Sequence, residues 1–159
     1  MAKKKADPDK VLVASNRKAR FHYEIFDIVE AGICLKGPEV KSLRDSKARL
    51  EGAFARLDGD ELYLHSLYIA PYKQNTGEEI DPDRTRKLLV HRRQIAKFKK
   101  GVDQKGQTLV AIELYFHKGW AKVSVALAKG KNAGDKRANL KKKAQARELD
   151  RSFKGKFKL

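Results

Sequence analysis

The residues of this chain that could do chemistry are four histidines, one cysteine and a few neighbouring acids, and their spacing excludes most of it. His22, His65, His91 and His117 are scattered, with no His-x-x-x-His pattern and no cysteine pair to complete a zinc site. Asp81-Pro82-Asp83 has the look of a metal-binding pair. Proline stiffens it, however, and Arg84 and Arg86 follow at once, so it reads as a solvated loop. Gly130-Lys131-Asn132-Ala133-Gly134-Asp135-Lys136 is glycine-rich like a phosphate loop, but its second glycine comes too early and Asp135 separates that glycine from the lysine. No serine stands in a nucleophile elbow. Cys34, inside Ile33-Cys34-Leu35, reads as a small buried hydrophobe, and a single cysteine allows no intrachain disulfide. The expectation is a binding protein and not an enzyme, with no catalytic residue, metal or cofactor.

Charge says what would be bound. Lys and Arg number 37 against 20 Asp and Glu, a formal +17, which favours a polyanion: nucleic acid first, an acidic membrane surface second. The membrane reading needs an apolar span or an amphipathic helix with aromatics on one side, and the sequence offers neither. The first residues, MAKKKADPDK, lack the apolar stretch of a secretory signal, so a soluble cytoplasmic protein is expected. The cations are unevenly placed. From Lys129 to Leu159 twelve Lys or Arg stand against three acids, a net of nine positive charges in a stretch too polar to build a core. Such a tail is expected to be disordered alone. Leu140, Ala144 and Leu149 nevertheless allow a thin helical stripe that could form against a phosphate-rich surface. A second basic set comprises Asn16, Arg17, Lys18, Arg20, Lys41, Arg44, Arg84, Arg86 and Lys87, with Phe21, His22, Tyr23, Tyr68 and Tyr72 nearby. Planar side chains beside cations suit unstacked bases and phosphates, although each aromatic taken singly also suits a core. Glu30 could accept hydrogen bonds from a base edge or pair with a lysine.

The elements that must position these residues follow from periodicity. From Thr108, Val110, Ile112, Leu114 and Phe116 alternate with Ala111, Glu113, Tyr115 and His117, which predicts a strand with one apolar and one wet face. A tight turn at His117-Lys118-Gly119 leads to a partner strand in which Ala121, Val123, Val125 and Leu127 alternate with Trp120, Lys122, Ser124 and Ala126. Phe21 to Val29 is a third strand, broken or bulged at Ala31-Gly32, resumed from Ile33 to Lys36 and stopped by Gly37-Pro38. Glu39 to Asp45 fits a short helix. Ala53 to Leu57 and Glu61 to Ile69 form a hairpin about Asp58-Gly59. Residues 71–86 form a long polar loop, and His91 to Val102 a helix burying Ile95, Phe98 and Val102. About six short, mostly hairpin-linked antiparallel strands must hide their edges. A small, partly open oligonucleotide-binding barrel with short helices is the expected fold, an SH3-like barrel or an α+β sandwich being the alternatives. The division expected is a mobile arm over 1–15, the barrel over 16–128 and the basic tail over 129–159. No heptad or large apolar patch argues for a dimer, so a monomer is expected.

Five stretches stand out together: Asn16-Arg17-Lys18-Ala19-Arg20, Glu30-Ala31-Gly32-Ile33, Gly37-Pro38-Glu39-Val40-Lys41-Ser42-Leu43-Arg44, Asp81 to Leu89 (DPDRTRKLL), and Leu127-Ala128-Lys129-Gly130-Lys131 leading to Asp135-Lys136-Arg137. With these stretches the chain resembles the small protein B (SmpB) family, the SsrA-binding proteins of bacterial trans-translation. The stretches come in the family's order and cover nearly the whole chain. The resemblance implies a barrel that grips the tRNA-like domain of transfer-messenger RNA and delivers it to stalled ribosomes, with a tail that turns helical in the empty mRNA channel. Carried over by motif, Asn16, Arg17, Arg20, His22, Glu30, Lys41, Arg86 and Lys87 would lie on the RNA face. Lys129, Lys131, Asp135, Lys136, Arg137, Arg147 and Arg151 would engage the ribosome. Family members commonly carry a histidine directly before the Asp-Lys-Arg triplet; this chain has Gly134 there.

Overall fold

The β-formers that alternate along the sequence do pair, and the strands they make close on themselves. The computed structural model describes residues 8–156. In chain order its elements are β1 (Lys10–Ser15), α1 (Ala19–His22), β2 (Tyr23–Ile33), α2 (Gly37–Arg44), β3 (Ala48–Arg49), β4 (Phe54–Asp58), β5 (Glu61–His65), β6 (Tyr68–Ile69), β7 (Arg86–Leu89), α3 (Arg92–Lys105), β8 (Thr108–His117), β9 (Trp120–Gly130) and α4 (Ala133–Lys156). Strands β8, β4, β5, β7, β2 and β9 follow one another around a ring, and β9 returns to β8 to close it. Every pairing is antiparallel. Two seams are thin. Strand β4 pairs with β8 at Phe54–Val110 and Ala55–Leu109, with one more bond from the Ala111 N–H to the Ala53 carbonyl, and β2 pairs with β7 at Gly32–Leu89 and Ile33–Leu88, with one more from the Cys34 N–H to the Lys87 carbonyl. The result is the small, partly open, mainly-β barrel that short hairpin-linked strands demand.

Strand β8 has one edge fully on β9 and divides its other edge between β4 and β1. It manages this with a bulge between Ala111 and Glu113, which shifts the inward phase by one residue. Leu109 and Ala111 face the main core before the bulge, and Leu114 faces it afterwards with Phe116 packed alongside. Val110 and Ile112, expected on that same face, lie instead with Ala19, Ala126 and Ala128 in a second cluster beneath α1. Ala111 and Tyr115, expected on the wet face, are buried. In the second arm the inward set is as expected, with Val123, Val125 and Leu127 in the main core and Ala121 packed against it, but Ser124 and Ala126 on the other face are buried as well.

Other boundaries move for local reasons. Residues 10–15, expected within a mobile arm, pair with β8 as an edge strand. Strand β2 runs unbroken through Ala31 and Gly32, and its bulge falls earlier, between Ile25 and Asp27. Pro38 starts α2 instead of ending a strand, since the first helical turn needs no N–H there, and the Glu39 carboxylate accepts the Lys36 N–H at 2.8 Å. The hairpin turn is Gly59-Asp60, with Gly59 at φ +58°. Ser66, also left-handed, separates β5 from β6, which leaves the ring to pair with β3. Helix α3 buries Ile95 and Phe98 and ends on Gly106 at φ +58°. Cys34 is exposed, not buried, because Ala31 and Ile33 face the core and the next residue along faces out; its N–H still donates to the Lys87 carbonyl at 3.0 Å. Helix α4 spans 24 residues, about 36 Å at 1.5 Å per residue, and its described side chains are mostly exposed.

Candidate nucleic-acid interface

Four groups of side chains carry the charge that could meet RNA. The first is held by α1. The Asn16 side chain accepts the Ala19 N–H at 3.1 Å and donates to the Ala111 carbonyl at 3.3 Å, so it seats the turn on β8. Arg17 and Arg20 project outward, and His22 stands edge-on to Phe21 with ring centroids 5.1 Å apart. Lys131 ties the root of α4 to this turn: its N–H donates to the His22 carbonyl at 2.9 Å and its Nζ to the Arg20 carbonyl at 3.0 Å. Between them opens a cleft of about 600 Å³ lined by Arg20, Tyr23, Glu24, Lys131, Asp135 and Lys142, among others.

The second group crosses the outer face of β2, β9 and β8. Glu30 stands opposite Ser124, with Lys122 opposite Tyr115 in the next outward row. Lys122 and the Tyr115 hydroxyl both donate to the Glu30 carboxylate. Those two bonds, that from Lys122 foremost, hold the Glu30 carboxyl below its ordinary value, while burial and the bond to Glu30 push Tyr115 up to about 12. Glu30 is therefore an anion with a fixed orientation, yet half its side-chain surface is open. Leu89, 54% exposed, lies beside Gly32, where a Cβ would meet the Leu89 Cβ at 3.3 Å.

The third group joins α2 to the long loop. Lys41 Nζ lies 5.4 Å from the Tyr72 ring centroid, and Arg49 lies 4.4 Å from that of Tyr68. Beneath them Glu39, 4% exposed, takes Arg84 through both carboxylate oxygens at 3.0 and 2.5 Å and Arg86 at 2.9 Å. Arg86 is fully buried and also donates to the carbonyls of Leu67, Arg84 and Pro82. It cannot touch RNA: its guanidinium pins the long loop and β7 to α2. The fourth group is Lys87 on β7, which reaches Glu61 on β5; Tyr63 donates to the same carboxylate. Among the described residues no cluster of His, Cys, Asp or Glu could hold a metal, and no helix is long and apolar enough to cross a membrane.

Cations, half-exposed rings and one fixed acceptor on a barrel surface suit a folded RNA with accessible bases, and relatives of the chain bear names of that kind. Residues 13–155 match the family model of the SmpB protein. An SsrA-binding protein of Elusimicrobium minutum (strain Pei191) is 46% identical over 158 residues, covering 99% of either chain. One of Aquifex aeolicus (strain VF5) is 47% identical over 95% of this chain and 98% of its own. The chain belongs to the SmpB family.

A solved structure described as "tmRNA-SmpB: a journey to the center of the bacterial ribosome" superposes with a TM-score of 0.62 at 51% identity, over 75% of this chain and 84% of that one. On this SmpB barrel, Arg17, Arg20, His22, Glu30 and Lys41 are exposed and Lys87 half-exposed, but they sit in separate groups, and Asn16 and Arg86 act inside the fold. Of the tail residues, Lys131 and Asp135 join Arg20 at the cleft, Lys129 lies opposite Glu24 at the end of β9, and Lys136, Arg137, Arg147 and Arg151 lie along α4. Lys122 and Tyr115, the residues that position Glu30, go unnoticed in a linear reading. Their signal was the two-residue turn, which sets the β8–β9 register and so brings them side by side.

Proposed function

We propose that this chain is an RNA-binding adaptor: its barrel grips the tRNA-like domain of transfer-messenger RNA and carries it to stalled ribosomes for trans-translation. There α4 enters the empty mRNA channel as a cationic helix. The place of action is the cytoplasm, and the protein's part is recognition and delivery, not bond-making. The relatives are named for binding SsrA, and the solved neighbour pairs tmRNA with SmpB at the ribosome.

The observation that carries the reading on this chain is Glu30. A carboxylate on a surface that meets RNA repels phosphates, so it weakens indiscriminate binding. Fixed by Lys122 and Tyr115 with its outer side open, it can accept hydrogen bonds from a base edge, which is a source of selectivity. The test is binding of the full chain to the tRNA-like domain of transfer-messenger RNA with bulk tRNA as competitor. Competitor-resistant binding that Glu30→Gln weakens about tenfold is expected. Binding erased by bulk tRNA would make the chain a general RNA chaperone on an oligonucleotide-binding barrel.

A further inference from the structure

Trp120 is the chain's single tryptophan, and 76% of its surface is exposed. An indole is the largest apolar side chain, and this one packs in neither hydrophobic cluster of the barrel. Its backbone is nonetheless fixed. Lys118 and Gly119 fill the turn at φ +50° and +81°, the mirror-image geometry that joins two strands without splaying them. Trp120 is thereby fixed opposite His117, which stands opposite Lys10 of β1. Two residues along, about 7 Å on the same face, Lys122 stands opposite Tyr115 and both reach Glu30.

The outer face of the hairpin thus runs from Glu30 through Lys122 and Tyr115 to Trp120. Lys10 lies 4.1 Å from the Tyr115 ring centroid while paired with Glu113 at 2.6 Å. An open indole on the same face as the Lys122–Glu30 and Lys10–Glu113 pairs offers an unpaired nucleotide a surface for its base and, at the oriented Glu30 carboxylate, a partner for its edge. We propose that Trp120 is a base-stacking residue that extends the RNA face to the tip of the β8–β9 hairpin. It takes an unpaired base from a loop of the folded RNA. The inference rests on the adaptor reading above.

The single tryptophan supplies its own probe. The full chain is titrated with the tRNA-like domain of transfer-messenger RNA, with binding followed by gel mobility and, in parallel, by tryptophan emission. Emission should fall and saturate together with the shifted band. Trp120→Ala should bind about 5- to 150-fold more weakly, the range for loss of one base–aromatic stack, while Trp120→Phe stays within about threefold of wild type. Both variants should melt at the wild-type temperature. If RNA shifts the wild-type band but leaves emission unchanged, or if Trp120→Ala binds like wild type, the stack does not exist although the adaptor reading stands. If the wild-type chain does not prefer this RNA to bulk tRNA, both readings fall.

Discussion

Glu39 holds two guanidinium groups at almost no exposure to water, and the balance at this one carboxylate has measurable consequences. Burial opposes its ionisation, but the bonds from Arg84, the Lys36 N–H and Arg86 outweigh that and hold its carboxyl below the ordinary value. Glu39→Gln should cost about 3–5 kcal/mol in urea unfolding at neutral pH, because it leaves the Arg86 charge buried without its counter-ion. The sign with pH is fixed by the lowered value. The stabilisation is complete above the ordinary carboxylate value of 4.5 and drains away as pH falls through the folded-state value. The gap between wild type and Glu39→Gln should therefore narrow in acid; a constant gap would mean the carboxylate's charge is immaterial. This is also where a linear reading fails most. Arg84-Thr85-Arg86-Lys87 looks like an RNA contact strip, and nothing local reveals that two of its cations share one buried acid 45 and 47 residues away. Glu30 is the opposite case: its role was open in the sequence as base acceptor or lysine partner, and it has both features at once, a lysine on one side and solvent on the other.

At the scale of elements, two glycines predict opposite outcomes for one substitution. Gly101 lies inside α3, where a Cβ would sit 2.5 Å from Leu127 Cδ2 and 2.9 Å from the Gln107 side-chain oxygen. Helix propensity favours alanine by about 1 kcal/mol, but overpacking a core residue costs roughly 1–3 kcal/mol, so Gly101→Ala should lower stability by about 1 kcal/mol in urea. Gly134, in the first turn of α4 where family members commonly carry histidine, has nothing within 4 Å of a Cβ. Gly134→Ala should therefore raise the helical circular-dichroism signal at 222 nm, and a signal unchanged or lowered would mean that α4 does not begin there. Why a glycine stands inside α3 was not legible, because no pattern displays the leucine of a strand still to come. The hairpin of β8 and β9, by contrast, was legible in its turn, its length and its second arm. Its first arm was misjudged only because a bulge at one residue inverts the faces, and alternation read on either side of a bulge gives two different cores.

For the molecule as a whole, the question is whether the two cationic sets serve one RNA or two. The barrel and α4 meet at α1, where Lys131 donates to the carbonyls of His22 and Arg20. Beyond that root the described side chains of α4 are mostly in water, and little apolar packing supports the helix. A chain ending at Asn132 keeps both Lys131 bonds and every strand of the barrel, and removes the helix and most of the tail's positive charge. We expect it to bind the tRNA-like domain within about threefold of the full chain. The logarithmic salt dependence should also be unchanged, since every lysine or arginine withdrawn from a phosphate would flatten the slope by roughly 0.9 for a duplex. Peptide tagging on ribosomes stalled without a stop codon should disappear. A flatter slope with weaker binding would show that α4 lies on the same RNA as the barrel, and the two sets would then be one interface. Tagging that survives the truncation would remove the helix from the ribosome altogether. Unchanged RNA affinity together with abolished tagging is the outcome that this barrel and its cationic helix predict, because they share the Lys131 root and little else.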